Sequence, residues 1–128
     1  MDEITLRIPS RHDLTRDPLA CAMVALSLEC AQLGFAVYVR DEPRIAEAAS
    51  AAVAHWLAAR GLVQGRRAAE GERAEVGATA ASLHDARAVI AELCRKGAAM
   101  FPAARERLAA LEECLALASV DLPPTPDP

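Results

Sequence analysis

The stretch PLACAMVALSLECAQL, residues 18–33, decides the fold because a helix-start signal precedes an almost uninterrupted apolar run. Proline is tolerated at the first position of a helix, and the carboxylate of Asp17 can accept the free backbone N–H groups of the first turn. Gly34 follows, and glycine often ends a helix in the left-handed conformation. The sequence therefore predicts a helix from Pro18 to Leu33. Its apolar residues on most sides predict a buried, central position.

Two short segments on either side of this helix alternate apolar and polar residues and contain β-branched side chains. They are ITLRI at residues 4–8 and FAVYVR at residues 35–40. This period of two predicts two strands. The strand–helix–strand order suits a parallel pair with a right-handed crossover, but the connection at residues 9–17 is long enough for antiparallel pairing. Both arrangements remain open at this stage.

A second helix is predicted to begin at Pro43, because apolar residues then recur every three or four positions on one face. Gly61 is predicted to end it. The following residues, 64–77, contain three glycines and alternating charges. Glycines and alternating charges of this kind are typical of a solvated loop, which we expect here.

Two further helices complete the prediction. Ser82 and Asp85 are three residues apart and resemble a capping box, so they predict a third helix that ends near Gly97. An earlier start, near Glu75, is the alternative. A fourth helix is predicted for residues 102–119, because a proline begins a long run rich in alanine and leucine.

These elements predict a mainly α fold with four principal helices and a small two-stranded β element. The chain has 128 residues and a mass of 13.6 kDa, which suits one domain. We assign residues 1–121 to that domain. Residues 122–128 contain four prolines, so we expect a disordered or extended tail.

Charge and apolar run length indicate which partners to expect. With 18 acidic and 14 basic residues the formal net charge is −4, so a general attraction to nucleic acid or anionic lipid is not expected. The longest uncharged apolar stretch, residues 18–28, would be about 16 Å long as a helix, shorter than the roughly 30 Å of bilayer hydrocarbon. We therefore expect no membrane span.

The N-terminus resembles no export signal, and the widely spaced cysteines indicate reduced thiols and a cytoplasmic location.

No set of residues in the sequence predicts catalysis or metal binding. Cys21 and Cys30 would lie on opposite sides of the first helix, roughly 13 Å apart along its axis, so they cannot share a metal ion. Cys94 and Cys114 are expected to be small buried apolar residues.

Ser82, His84 and Asp85 are neighbours on one helical turn, where a nucleophile, its base and its orienting group cannot point at one another. The sequence also contains no glycine-rich phosphate-binding loop. We therefore expect no catalytic, cofactor or metal site, and we expect that the protein is not an enzyme.

The surface of the second helix predicts a function. The second helix bears alanine on several sides, and small side chains allow a partner to approach closely. The sequence therefore predicts a non-enzymatic protein–protein interaction module that binds a protein partner or itself, as a homodimer. Two surfaces are assigned to this role: the alanine-rich second helix around Ala48, Ala51 and His55, and the edge near Tyr38 and Arg40.

One stretch resembles a known family. Residues 56–67, WLAARGLVQGRR, followed by ERAEV at 72–76, look like the end of a recognition helix and the wing of MarR-type winged helix-turn-helix regulators. The resemblance implies wing strands at Leu62–Val63 and Glu75–Val76. It also implies contacts from Arg66, Arg67 and Arg73 to DNA phosphates. A DNA-binding regulator is therefore the alternative function.

A third possibility is a small-ligand site. A pocket between the predicted sheet and Trp56 would combine apolar walls with a few polar groups, as ligand sites usually do. The sequence does not decide whether such a pocket exists.

Overall fold

The chain is described from a computed structural model, which covers residues 17–70, 74–120 and 122. These residues form four α-helices, which confirms the prediction of a mainly helical fold with four principal helices. The helices are α1 (Pro18–Tyr38), α2 (Glu42–Glu70), α3 (Ala74–Met100) and α4 (Arg105–Ser119), with one 3-10 turn (Pro102–Ala104) before α4. Within the described ranges there is no strand. The predicted strand at residues 4–8 lies outside them.

Helices α2 and α3 form the centre of the bundle, because each of them packs against all three other helices. The buried face of α2 includes Ile45, Val53 and Val63, and several of its alanines are buried as well. Small alanine side chains allow neighbouring helices to approach closely. The predicted central position of the first helix is wrong: only 17 % of the most apolar window of α1 is buried, and α1 lies at the periphery.

A buried tryptophan joins α2 to α3. The indole N–H of Trp56 donates a hydrogen bond to the backbone carbonyl of Leu83 at 2.7 Å, and the Trp56 side chain is fully buried. A buried indole N–H needs such a partner, because an unpaired polar group in the core is costly. This bond fixes the position of α3 along α2. Trp56 therefore belongs to the core and does not line a pocket beside a sheet.

The start of α1 confirms the predicted cap. The Oδ1 atom of Asp17 accepts hydrogen bonds from the backbone N–H groups of Leu19 at 3.1 Å and Ala20 at 3.3 Å. Pro18 takes the first helical position. Both features follow from the N-terminal rules that the sequence predicts.

The predicted strand at residues 35–40 is wrong, because α1 continues through Gly34 to Tyr38. Leu33 and Ala36 are fully buried on one helical face. An isolated strand would leave the backbone groups of this segment without a ladder partner. Helical packing therefore outweighs the β-branched, alternating pattern of the sequence.

The turn between α1 and α2 is three residues long and centres on Arg40. The N–H of Arg40 donates to the Val37 carbonyl at 3.2 Å, and the N–H of Asp41 donates to the Ala36 carbonyl at 3.1 Å. This is the Schellman pattern, which requires a left-handed residue at the position that Arg40 occupies. Arg40 accordingly has φ = 57°. Asp41 then caps α2, since its Oδ1 accepts from the Arg44 N–H at 3.3 Å.

Glycine marks fewer helix ends than the sequence predicts. Gly61 lies inside α2, which runs on to residue 70, so the predicted loop at residues 64–77 is largely helical. An exposed helical glycine costs about 1 kcal/mol relative to alanine, and burial of neighbouring Ala59 and Val63 offsets that cost. Helix α3 starts at Ala74, close to the alternative start that the sequence allowed.

The same start places Ser82 and Asp85 in the middle of α3, so the predicted capping box is wrong. Gly97 does not end α3 either, because the helix continues to Met100. The fourth helix agrees with its prediction, apart from the 3-10 geometry of its first turn. Leu122, which we assigned to the tail, is only 6 % exposed and packs in the core.

Gly97 lies where α3 approaches both α2 and α4. A Cβ atom added at Gly97 would lie 2.9 Å from Cγ2 of Ile45 and 3.0 Å from Cδ1 of Leu108. Both neighbours are themselves fully buried and have little freedom to move. Close packing, and not backbone conformation, therefore requires glycine at this position.

We expect Gly97→Ala to destabilise the fold by about 1–3 kcal/mol, because overpacking of a rigid core costs that much. Gly61→Ala is the matched control, since nothing lies within 4 Å of its added Cβ. It should stabilise the fold by about 0.5–1 kcal/mol through helix propensity. Urea unfolding followed by circular dichroism measures both. Equal stabilisation by both substitutions would contradict the close approach at Gly97.

We expect Arg40→Gly to raise the free energy of unfolding by about 1 kcal/mol, because glycine adopts the left-handed conformation without a Cβ clash. Arg40→Ala is the control: it removes the same charge but keeps the Cβ, and it should change stability little. Thermal unfolding compares the two variants. A gain from alanine equal to that from glycine would assign the effect to charge.

Candidate functional site

Helix α1 presents an apolar surface to solvent, on the side opposite the core. We call this surface the apolar face. Its members are separated alternately by three and four residues, the spacing that aligns side chains along one side of a helix. They are Cys21, Val24, Leu28, Ala31, Phe35 and Tyr38.

The large side chains of the apolar face are well exposed. Leu28 is 62 % exposed, Phe35 55 % and Tyr38 85 %. Cys21 and Ala31 are exposed as well, and Val24 is half-buried. The next residue in the chain after Tyr38, Val39, is also exposed and extends the surface at the C-terminal end of α1. Contiguous apolar surface of this kind on a folded chain usually marks a contact site.

The apolar face carries no charge. The positions that flank it on α1 are small or neutral, namely Ala20, Ala25, Ser27 and Gln32. The one charged residue within α1 is Glu29, which lies on the side that faces α2. A partner could therefore approach the apolar face without desolvating a charged side chain of α1, and desolvating charge is a major cost at interfaces.

The length of α1 alters one expectation from the sequence. By length and composition, α1 is apolar enough to cross a membrane. The sequence analysis compared only the uncharged stretch, residues 18–28, with the thickness of a bilayer. That comparison underestimates the length of the helix, because α1 continues past Glu29 to Tyr38. Its opposite side, with Leu26 and Leu33, is buried in the core.

An open groove of about 480 Å³ lies beside the apolar face, between α1 and α2. Acidic, basic, amide and small apolar side chains line it: Glu29, Gln32, Arg44, Glu47, Ala48 and Ala51. Arg44 is paired with Asp41 at 3.8 Å.

The two interaction surfaces that the sequence predicts differ in exposure. Tyr38 and Arg40 are exposed at the C-terminal end of α1, and Tyr38 belongs to the apolar face. Ala48 and Ala51 line the groove, but Ala48 is 6 % exposed and packs largely inside the bundle. His55 is half-buried, and its Nδ1 lies 2.8 Å from the Ala51 carbonyl oxygen. The alanines of α2 therefore serve helix packing more than an external surface.

The wing implied by the resemblance to MarR-type regulators is not present. The two wing segments, Leu62–Val63 and Glu75–Val76, lie in helices α2 and α3, and Val63 is fully buried. Arg66 forms an ion pair with Asp17, on the same Oδ1 atom that caps α1. This pair links the end of α2 to the start of α1.

Of the other two arginines, only Arg67 lies among the described residues. Arg67 is half-buried on α2. Arg73 lies outside the described residues. The structure thus gives one of the three predicted DNA-contacting arginines a role inside the fold.

The four cysteines are free and differ in exposure. Cys94 is buried, as expected, whereas Cys114 is exposed, contrary to the prediction. Burial raises the pKa of the Cys94 thiol to about 11, and the Glu112 carboxylate acts in the same direction. Burial and, to a smaller extent, the Glu29 carboxylate raise the pKa of Cys30. Among the described residues, no group of three or more His, Cys, Asp or Glu side chains could hold a metal ion.

The sequence analysis does not predict the apolar face, because it ends the first helix at Leu33. The first half of the face, Cys21, Val24 and Leu28, is recognisable as a stripe in the sequence, but the strand predicted at residues 35–40 contains Phe35 and Tyr38. Treating residues 18–38 as one helix shows all of the face at once. The three- and four-residue spacing of the apolar face is therefore present in the sequence, but a helix that ends at Leu33 includes only part of it.

Comparisons with known proteins give no relative for this chain. No family model matches it, and neither the curated proteins nor the solved structures contain a significant match.

We expect the thiols to react with iodoacetamide at pH 8 in the order of their exposure. Cys114 and Cys21 should react readily, whereas Cys94 should be at least a hundredfold slower, since a thiol of pKa about 11 is about one part in a thousand thiolate at that pH. Its rate should rise about tenfold per pH unit until the pH approaches that pKa. Mass spectrometry of tryptic peptides measures each rate, and rapid labelling of Cys94 in the folded chain would contradict its burial.

Proposed function

We propose that this chain is a non-enzymatic interaction module, which associates with itself or with another protein through the apolar face of α1. The observation that carries the proposal is the exposure of Leu28, Phe35 and Tyr38 on one uncharged side of a helix. Aromatic and aliphatic side chains grouped in this way are typical of the buried centre of an interface.

The size of the face supports the proposal. A helix of 21 residues is about 31 Å long and 10–12 Å wide, so one side of it covers on the order of 500 Å². The largest apolar patch on a typical monomer is about 300–600 Å² and is often functional. The apolar face lies within that range and, unlike most protein surfaces, is not interrupted by charged residues.

The rigidity of the face also supports a binding role. The Asp17 cap and the Arg66–Asp17 ion pair hold the N-terminal end of α1, and the turn at Arg40 holds its C-terminal end. Leu26 and Leu33 anchor the middle to the core. A preorganised surface loses little conformational freedom when it binds, which favours association.

The proposal places the protein in a reducing compartment such as the cytoplasm. All four cysteines are free, and Cys21 and Cys114 are exposed. Exposed thiols persist where glutathione and thioredoxin keep them reduced.

We expect Leu28→Glu to abolish the association, because it buries a charge at the centre of the contact. Leu117→Glu on α4 is the matched control: Leu117 is 68 % exposed and lies off the apolar face. Both variants should unfold within about 0.5 kcal/mol of the wild type, as is usual for exposed positions.

Light scattering after size exclusion gives the mass of each purified protein over a range of concentrations, and native gels of cell extracts give the size of any hetero-complex. The proposal expects a complex that Leu28→Glu loses and Leu117→Glu retains. Identical behaviour of wild type and both variants in both measurements would refute the proposed function.

A further inference from the structure

We infer that the occupant of the apolar face is a second copy of this chain, with the two α1 helices packed antiparallel about a twofold axis. The inference rests on the proposed function and names its partner. A twofold dimer brings the same surface of each copy together, so the surface must complement itself. The apolar face can complement itself, because its large side chains can face its small ones and because it carries no charge.

Side-chain size selects the antiparallel arrangement. When two copies of α1 run in opposite directions with their centres aligned, each large side chain meets a smaller one. The facing pairs are Tyr38 with Cys21 of the partner subunit, Phe35 with Val24 of the partner subunit, and Leu28 with Ala31 of the partner subunit. Alternating large and small side chains allow two helices to interdigitate at normal core density.

A parallel pair fits less well. It would place Phe35 against its own counterpart and Tyr38 against its own counterpart at one end of the contact. At the other end, Cys21 would meet another cysteine and leave space. Overpacking at one end and a gap at the other both destabilise a contact.

Charge also favours the antiparallel pair. The face itself is uncharged, so two copies meet without repulsion between like charges. In a parallel pair the two exposed Arg40 side chains would approach each other, whereas the antiparallel pair separates them to opposite ends of the contact. Opposed helix dipoles add a small favourable contribution to the antiparallel arrangement.

The buried area is sufficient for a modest dimer. About 500 Å² from each copy gives on the order of 1,000 Å² in total, which is near the lower limit for a specific interface. Helices packed at 8–10 Å place facing positions close enough for side-chain contact. We therefore expect the dimer to form in the micromolar range and to dissociate on dilution.

A lipid surface is the competing occupant, and the structure favours it less. Spanning a bilayer would withdraw Leu26, Leu33 and Ala36 from the core, where each is at most 2 % exposed. Helices that lie on a membrane usually carry lysine and arginine beside their apolar side. Helix α1 contains neither residue, so its composition suits a protein partner better.

Disulfide trapping tests the arrangement directly. In a Cys114→Ser background, which removes the exposed thiol on α4, we introduce Tyr38→Cys and oxidise the full chain with copper phenanthroline. Facing positions on packed helices lie within the 4.4–6.8 Å Cα separation that a disulfide needs. The expected product is a covalent dimer that contains a disulfide between residue 38 and Cys21 of the partner subunit, identified by mass spectrometry.

Two further variants in the same background decide the direction. Adding Cys21→Ser to Tyr38→Cys should abolish the covalent dimer, because in the antiparallel pair the two residues at position 38 are about 25 Å apart along the axis. Ala110→Cys, at an exposed position on α4, should give little dimer and controls for random collision. Persistence of the dimer without Cys21, or equal trapping through position 110, would overturn the inference.

A measurement on the unmodified chain keeps the inference testable if a variant fails to fold. Iodoacetamide labelling of Cys21 should slow severalfold between dilute and concentrated protein, whereas Cys114 in the same molecules should keep a constant rate. A Cys21 rate that stays low at concentrations where light scattering gives a monomeric mass would mean that another part of the same chain covers the face. A Cys21 rate that is high at every concentration would mean that the face stays uncovered. Either result would overturn the inference.

The two proposals can fail separately. If the purified chain is monomeric but extracts contain a complex that Leu28→Glu abolishes, the second copy is refuted and the interaction module stands. If the chain forms no protein complex, but sediments with phosphatidylglycerol vesicles in a manner that Leu28→Glu abolishes, both proposals are refuted in favour of a lipid surface.

Discussion

The fold depends on the contact between Trp56 and α3. The indole N–H donates to the Leu83 carbonyl at 2.7 Å inside the core, so α2 and α3 are fixed to each other by a directional bond as well as by apolar packing. Buried alanines on α2 bring the neighbouring helices close. With α2 and α3 at the centre, α1 has core contacts on one side only. The exposure of the apolar face follows directly from that arrangement.

Helix α1 therefore has two apolar sides with different roles. Leu26 and Leu33 on the inner side are buried and contribute the usual 1.5–3 kcal/mol each to folding. Leu28 and Phe35 on the outer side contribute much less to the stability of a single chain, because they remain largely in water. Their burial becomes favourable only when another surface covers them. The inner side of α1 is thus buried when the chain folds, and the outer side is buried only when the chain associates.

Local signals predict the starts of the first, second and fourth helices, because capping is a short-range effect, but the capping box at Ser82 and Asp85 is wrong for the third. Asp17 with Pro18, and Pro102 before α4, are where the sequence places them. The predicted helix ends are wrong because glycine does not always stop a helix: packing of buried neighbours keeps Gly34, Gly61 and Gly97 inside helices. The sequence does not predict the apolar face, because the predicted end of the first helix is wrong. The alternation at residues 35–40 resembles a strand, and only the tertiary contacts of Ala36 show that it is helical.

The crossing at Gly97 has a consequence for recognising relatives of this chain. The backbone of α3 approaches Ile45 and Leu108 so closely that a Cβ atom at Gly97 would lie within 3.0 Å of both side chains. Many other positions in the bundle can exchange one aliphatic residue for another, since overall volume and patterning are enough to maintain a core. A distant homologue with the same helix crossing is therefore expected to keep glycine here while much of its sequence diverges. This glycine, the two aliphatic residues around it and Trp56 form a sparse signature by which such homologues could be found.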